Sequence, residues 1–257
     1  MPLLIVEQFL IKLTAMKTKT LLFSVAVVAL MATSCSIYHP QAVDMPLINH
    51  KGDLRVDANA SASVWLILPD AININATGSY GFTDWFCGQV HANYGGDNWY
   101  LQAAPGAYVS LGGKAVFETY LGVGYGGSNH KDDGDNDTSG SQYYIYKGKY
   151  LLPYAQFNIG WRNLGPVDIV FGVKTGVFAP DFEYNRYHAD GTVMEDRYVH
   201  YNTPNMLIEP QLQIGLGTDR VKFTTRLGYT WMNDLNDASD KMYHDFFTLG
   251  AGVTLCF

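Results

Sequence analysis

Three aspartates at alternate positions, Asp133, Asp135 and Asp137 in the run DGDND, have the spacing with which a calcium loop offers its first oxygen ligands. Thr138 stands where such a loop needs glycine, and no bidentate glutamate follows at the required distance. The run therefore reads as a solvated acidic loop. His130, His188, His200 and His244 fall in or near long polar stretches. His200 with Glu195 and a strand-end serine would supply base, acid and nucleophile, but no GxSxG-type turn presents the serine. GVGYGG at 122–127 has the glycine content of a phosphate loop, yet it lies inside a strand pattern rather than between a strand and a helix. Cys35, Cys87 and Cys256 form neither a metal spacing nor a disulfide framework. With no Walker loop, dinucleotide fingerprint or zinc signature, the sequence predicts a protein that is not an enzyme and takes no cofactor or metal.

The elements that carry the remaining polar residues are strands. From Asp53 to Val64 the chain alternates without an error. Leu54, Val56, Ala58, Ala60, Ala62 and Val64 fall on one face, with Asp53, Arg55, Asp57, Asn59, Ser61 and Ser63 on the other. A period of two suits a strand and no helix. The pattern returns at 72–82, 221–231 and 247–257. Nine strands are expected, near 53–67, 71–82, 98–111, 115–127, 143–162, 167–178, 205–216, 220–232 and 244–257. Most are longer than the 5–6 residues of an average globular strand and long enough for the roughly 9–11 of a bilayer-crossing one. Gly112-Gly113-Lys114, Asn163-Leu164-Gly165-Pro166 and Gly217-Thr218-Asp219 make short turns. Long polar loops fall near 128–142, 179–204 and 233–243. Short turns on one side and long loops on the other is the outer-membrane arrangement. The fold class expected is all-β: an antiparallel up-and-down transmembrane barrel of eight to ten strands. An odd count leaves the chain ends on opposite sides, so a tenth strand from 83–94 or from before Asp53, or a tether that begins outside, is needed.

Composition agrees. Of 257 residues only 16% are charged and 14% are aromatic, with 18 Tyr and 26 Gly, against roughly 25% charged in a soluble domain. A formal charge of −7 excludes nucleic acid as a partner, which would need clustered Lys and Arg. The apolar strand faces carry essentially no charge, and a Lys or Arg there would cost about 2–4 kcal/mol near the bilayer midplane. Trp65, Trp99, Trp161 and Trp231 fall at strand ends, where an aromatic girdle would place them.

The opposite faces collect Arg55, Arg162, Lys174, Lys222 and Arg226 with Asp57, Glu118, Asp168 and Glu209. In a small barrel, side chains fill the interior, and unpaired charge there is costly. Glu118 or Glu209 could be a channel or catalytic carboxylate. The near-balance of signs favours instead a lumen closed by ion pairs, with the large inward groups Tyr120 and Tyr154 beside them.

The first residues are an address. Lys17 and Lys19 precede an apolar run from Leu21 to Met31, and Ala32-Thr33-Ser34 lead into Cys35, the layout of a secretory signal peptide. The run is shorter than the ~20 residues of a transmembrane helix. Ala-Thr-Ser-Cys is similar to a lipobox, without the usual Leu at Ala32, and marks Cys35 for lipidation. The expected organisation is 1–15 preceding the true start, 16–34 signal peptide, 35–52 tether and 53–257 barrel. Removing 1–34 takes away Lys12, Lys17, Lys19 and Glu7 and leaves the mature chain acidic.

The Ser-Cys ending, Tyr38-x-Pro40, MPLINHKGD from Met45 to Asp53 and FETYLGVGYG from Phe117 to Gly126 resemble small outer-membrane barrel lipoproteins of Bacteroidota. Gly252, Leu255 and Phe257 in the terminal strand resemble the signal read by the barrel-assembly machinery, with Gly250 where a polar residue is usual. The resemblance implies a place and a fold more than an activity. The partners expected are membrane lipids and the assembly machinery, with the surface ligand of the loops undefined. The reading favoured is a non-enzymatic barrel, its lumen plugged, serving envelope integrity or surface interaction. A lipid-modifying barrel enzyme, a narrow pore and a soluble periplasmic barrel for an apolar ligand are the alternatives. On this reading Cys35→Ala abolishes incorporation of labelled fatty acid; an unmodified N-terminus in the mass of the purified parent protein would refute the lipobox.

Overall fold

The structure, a computed structural model, describes residues 38–64, 69–112, 114–133, 142–188, 191–192, 199–234 and 245–257. The segment expected to be a signal peptide and Cys35 lie outside them, as do Trp65, the segment 134–141 with Asp135 and Asp137, Glu195 and His244.

The alternating segments form twelve strands and, among the described residues, no helix. They are β1 (Leu54–Val64), β2 (Pro69–Gly81), β3 (Phe86–Tyr94), β4 (Asn98–Ser110), β5 (Ala115–Asp133), β6 (Gln142–Leu164), β7 (Val167–His188), β8 (Val199–Tyr201), β9 (Asn205–Gly217), β10 (Val221–Tyr229), β11 (Trp231–Asp234) and β12 (Phe247–Cys256). Each pairs antiparallel with its neighbours. The sheet closes where β1 meets β12 and β7 meets β9. β8 and β9 lie one after the other along β7, and β10 and β11 lie one after the other along β9, so the barrel has ten staves.

The tenth strand is β3, from the 83–94 stretch that the parity argument had left open. The expected loop at 179–204 is shorter, because β7 runs on to His188 against β6. β5 likewise continues through 128–133 into what was expected as loop.

An even number of staves returns the chain to the end where it started. The Leu54 N–H donates to the Phe257 carbonyl at 3.1 Å, and the Phe257 N–H donates to Leu54 at 2.9 Å. The connections at 82–85, 111–114, 165–166 and 218–220 share that end. Asn163 and Gly165 turn there with φ of 56° and 66°, values in the left-handed region that Asn and Gly tolerate best. The long connections lie at the opposite end.

Outward positions are uncharged across a defined band. On β12 they run Phe247, Leu249, Ala251, Val253 and Leu255, and on β6 from Leu151 to Trp161. Ten residues of tilted strand stand about 25 Å tall, the height of an outer-membrane apolar band. Immediately beyond Leu151 the outward residues become Lys149 and Lys147, opposite Asp181 and Glu183 on β7. Trp161, Trp85 and Phe257 are exposed near the short-turn end, and Tyr94 and Trp231 near the other. The charge-free wall between these rims is what lipid demands.

Inside the barrel runs a segment expected to be a solvated tether. Residues 38–48 are all buried. Met45 and Leu47 pack with Val116 and Val170, while Ile48 packs with Cys87, Ala104, Tyr108, Tyr120 and Tyr154. GVGYGG also finds its purpose here. Gly122, Gly124 and Gly126 face inward, and the rings of Tyr154, Tyr100 and Tyr150 occupy the space where their side chains would be. The motif is a notch for aromatics rather than a phosphate cradle. Gly124→Val should overpack the Tyr100 ring and cost about 1–3 kcal/mol. The heat-induced gel shift should then fall to a lower temperature; an unchanged shift would mean the notch is not needed.

Candidate functional site

The lumen is the site the strands build, and its contents follow from period two. β1 turns Arg55, Asp57, Asn59, Ser61 and Ser63 inward, and β2 turns Asn73, Asn75, Thr77 and Ser79. On that side the wall is polar and mostly neutral. The Asn75 amide donates to Asn59 at 3.0 Å and to Ser61 at 2.9 Å, the Asn93 amide donates to Asn75 at 2.8 Å, and Thr77 meets His91 at 2.8 Å. Tyr100, Tyr150, Leu152, Phe178, Phe182 and Leu207 form an aromatic sector near the loop end, and Tyr38 of the inner segment inserts into it.

The charged sector lies across β1, β7, β9, β10 and β12. Arg226 donates to Asp57 at 2.7 Å and to Asp44 at 2.9 Å, both through Nη2, and its Nε donates to Gln213 at 2.8 Å. Asp57 also accepts from Thr254 at 2.7 Å and Asn59 at 2.7 Å. Arg55 lies 3.8 Å from both Asp44 and Asp168, and Asp168 accepts from Lys222 at 2.8 Å. Higher up, Lys174 pairs with Glu209 at 2.6 Å, and Glu209 accepts from Tyr38 at 2.8 Å and from Thr230 at 3.1 Å. Glu118 is held without a cation: it accepts from the Ile48 N–H at 2.5 Å, from Asn158 at 3.0 Å and from Tyr120 at 3.3 Å. Arg162 pairs with Asp53 at the short-turn end.

Of the nine inward charges read from the sequence, the structure buries Arg55, Asp57, Glu118, Asp168, Lys174, Glu209, Lys222 and Arg226, and leaves Arg162 partly exposed. Sequence reasoning missed Asp44, because residues 35–52 were assigned to a tether outside the barrel; Asp53 was read on the polar face of the first strand but not among the inward charges. The missed signal was its composition: Tyr38, Val43, Met45, Leu47 and Ile48 make it too apolar for a solvated linker.

The inner segment is tied down at almost every step. Gln211 donates to the Gln41 carbonyl at 3.0 Å, Asn59 to Ala42 at 3.2 Å, and Gln89 to Asp44 at 2.8 Å. Gln213 accepts from the Met45 N–H at 3.1 Å and donates to the Asp44 carboxylate at 2.9 Å. Leu47 has φ of 53°, costly for a leucine; the Arg162 bond to its carbonyl at 3.3 Å and the Glu118 bond to Ile48 hold the turn.

The loop histidines sit apart from the lumen. His130 meets Asp97 at 2.8 Å and His200 meets Asp181 at 2.8 Å through Nε2, while Glu195 lies outside the described residues. His188 is exposed. Cys87 and Cys256 are buried free thiols. No cluster of three metal-ligating side chains occurs among the described residues. Leu255 and Phe257 point outward at the short-turn end, and Gly252 pairs with Asn59 of β1 and Thr224 of β10.

A closed, antiparallel, ten-stave barrel with a charge-free outer band and a polar interior is the fold of outer-membrane proteins. Among solved structures it is similar to the outer membrane protease OmpT from Escherichia coli, with a TM-score of 0.53, 10% identity and coverage of 87% of this chain and 99% of that one. The CymD monoaromatic hydrocarbon channel aligns at a TM-score of 0.37 and 9% identity, over 90% of this chain and 74% of that one. No family model and no curated protein matches the chain. Identity this low establishes the shared fold alone. It nonetheless corrects the expectation of a non-enzymatic protein. That expectation rested on the absence of nucleotide, zinc and nucleophile-turn motifs, and OmpT, with this fold, is a protease.

Removing Glu209 strands Lys174 in the lumen, where breaking a buried pair costs about 3–5 kcal/mol. Removing Glu118 strands no cation and leaves hydrogen-bond donors unmet, at about 1–3 kcal/mol. Glu209→Ala should therefore lower the unfolding temperature more than Glu118→Ala. The reverse order, or two variants as stable as the parent, would break this account.

Proposed function

We propose that this chain is an outer-membrane barrel whose lumen is closed by its own residues 38–48, and that it acts at the cell surface through its long loops rather than by conducting solutes. The observation that carries this is the unbroken burial of 38–48, with Asp44 bonded into the charged wall. In a space of low dielectric, charges already paired with one another have little left to offer a passing ion, which supports a closed lumen. Membrane lipids are its partners along the band. The assembly machinery is its partner through Gly252, Leu255 and Phe257.

Two measurements test the reading. Fractionation should recover the protein in the outer membrane with heat-dependent gel mobility; soluble periplasmic recovery would reject it. Planar-bilayer recordings of the parent should show only rare, small openings. Asp44→Ala should make them more frequent, because it frees Arg226 and Arg55 from the inner segment. Steady ion-selective conductance by the parent protein would replace the closed barrel with a channel.

A further inference from the structure

We infer that the mature N-terminus leaves the barrel at the long-loop end, so that Cys35 lies on the outer face of the membrane. A lipid carried there would sit in the outward leaflet. The placement of the lipid rests on reading Ala32–Cys35 as a lipobox; the path of the chain does not.

The direction of the inner segment is written in its contacts. β9 descends from the loop end at Asn205 to the short-turn end at Gly217. Along it Tyr38 meets Glu209, Gln41 meets Gln211, and Met45 meets Gln213. β1 ascends from the short-turn end, and along it Ala42 meets Asn59 while Asp44, further down, meets Arg55. β6 descends, and Tyr38 packs on Tyr150 while Leu47 meets Arg162. Three staves thus report one descent, with residue 38 above and residue 48 below.

The height of Tyr38 follows from the same register. Its ring packs against Tyr150 and Phe178. Tyr150 lies between Leu151, where the unbroken outward apolar run of β6 begins, and Lys149, the first charged outward residue above it. The Tyr38 carbonyl accepts from the Asp245 N–H at 3.3 Å, on the loop side of the exposed Phe247. Tyr38 is therefore level with the upper edge of the apolar band.

Only Ser36 and Ile37 separate Cys35 from Tyr38, a reach of about 10 Å even when fully extended. The short-turn end lies about 25 Å below, the height of the band. That short reach cannot carry Cys35 back down to the short-turn end, so it stays on the loop side of the barrel. The barrel must close around this segment with its N-terminus on the far side, and β1 then starts at the near side, as the even stave count requires.

The test uses the full chain with a viral-protease site inserted between Ser36 and Ile37, in cells grown with labelled fatty acid. Protease added to intact cells should cut the site and separate the label from the barrel, with the heat-dependent gel mobility unchanged. Cutting without any label on the parent would uphold the path and remove the lipobox. Cutting only after the outer membrane is permeabilised would overturn the path. So would protection in both preparations while the same site placed within 134–141 is cut from outside. A conducting parent would remove the closed lumen while leaving the path to be decided by protease alone.

Discussion

The Asp44 carboxylate is the junction through which the inner segment and the wall share charge. It accepts from Arg226 and Gln213 and lies 3.8 Å from Arg55. Arg226 is shared with Asp57, and Arg55 with Asp168, which in turn holds Lys222. Sliding the segment by one residue, about 3.4 Å, would take Asp44 out of hydrogen-bond reach of Arg226. It would also carry Met45 from the place where Gln213 meets its N–H. An apolar segment of the same volume would fill the space but would have nothing to fix its register. Without Asp44, the three buried cations Arg55, Lys222 and Arg226 would be left to share two carboxylates, Asp57 and Asp168, with one positive charge uncompensated.

The same economy explains why the outer face is monotonous and the inner one varied. Lipid asks only that outward positions lack charge, and Val, Ile, Leu, Phe, Ala and Gly all satisfy it. The lumen asks each residue for a particular partner. Near the loop end that partner is an aromatic ring, so β5 gives up its side chains at Gly122, Gly124 and Gly126 to admit three tyrosines. Near the short-turn end it is a charge or an amide, so β9 supplies Gln211 and Gln213 as forks between segment and wall.

Much of this was legible in the residues, for a physical reason. A strand facing lipid on one side and a filled lumen on the other must alternate, and alternation exposes the strand, its facing and its inward charges together. β1, β2, β10 and β12 were read in that way. β3 was harder, because Gly88 and Ala92 weaken its outward face. The upper parts of β5 and β7 were read as loop because, above the lipid, alternation no longer separates apolar from polar. The inner segment escaped altogether. It has no periodicity, since its neighbours differ at each step, and its partners lie as far as 206 residues away in sequence, as with His39 and Asp245. Only its apolar content set it apart from a linker.

The two halves of the structure divide its capacities. Within the band, the barrel is committed: lipid covers one face, and the inner segment with its ion pairs occupies the other. Above the band, β5, β6 and β7 rise past the lipid boundary with paired charges on their outer faces, and the His130–Asp97 and His200–Asp181 pairs stand there in contact with water. Side chains above the lipid boundary can change without unbalancing the charge inside it. The loop end is therefore where the chain can vary its chemistry while the charge balance within the band stays fixed.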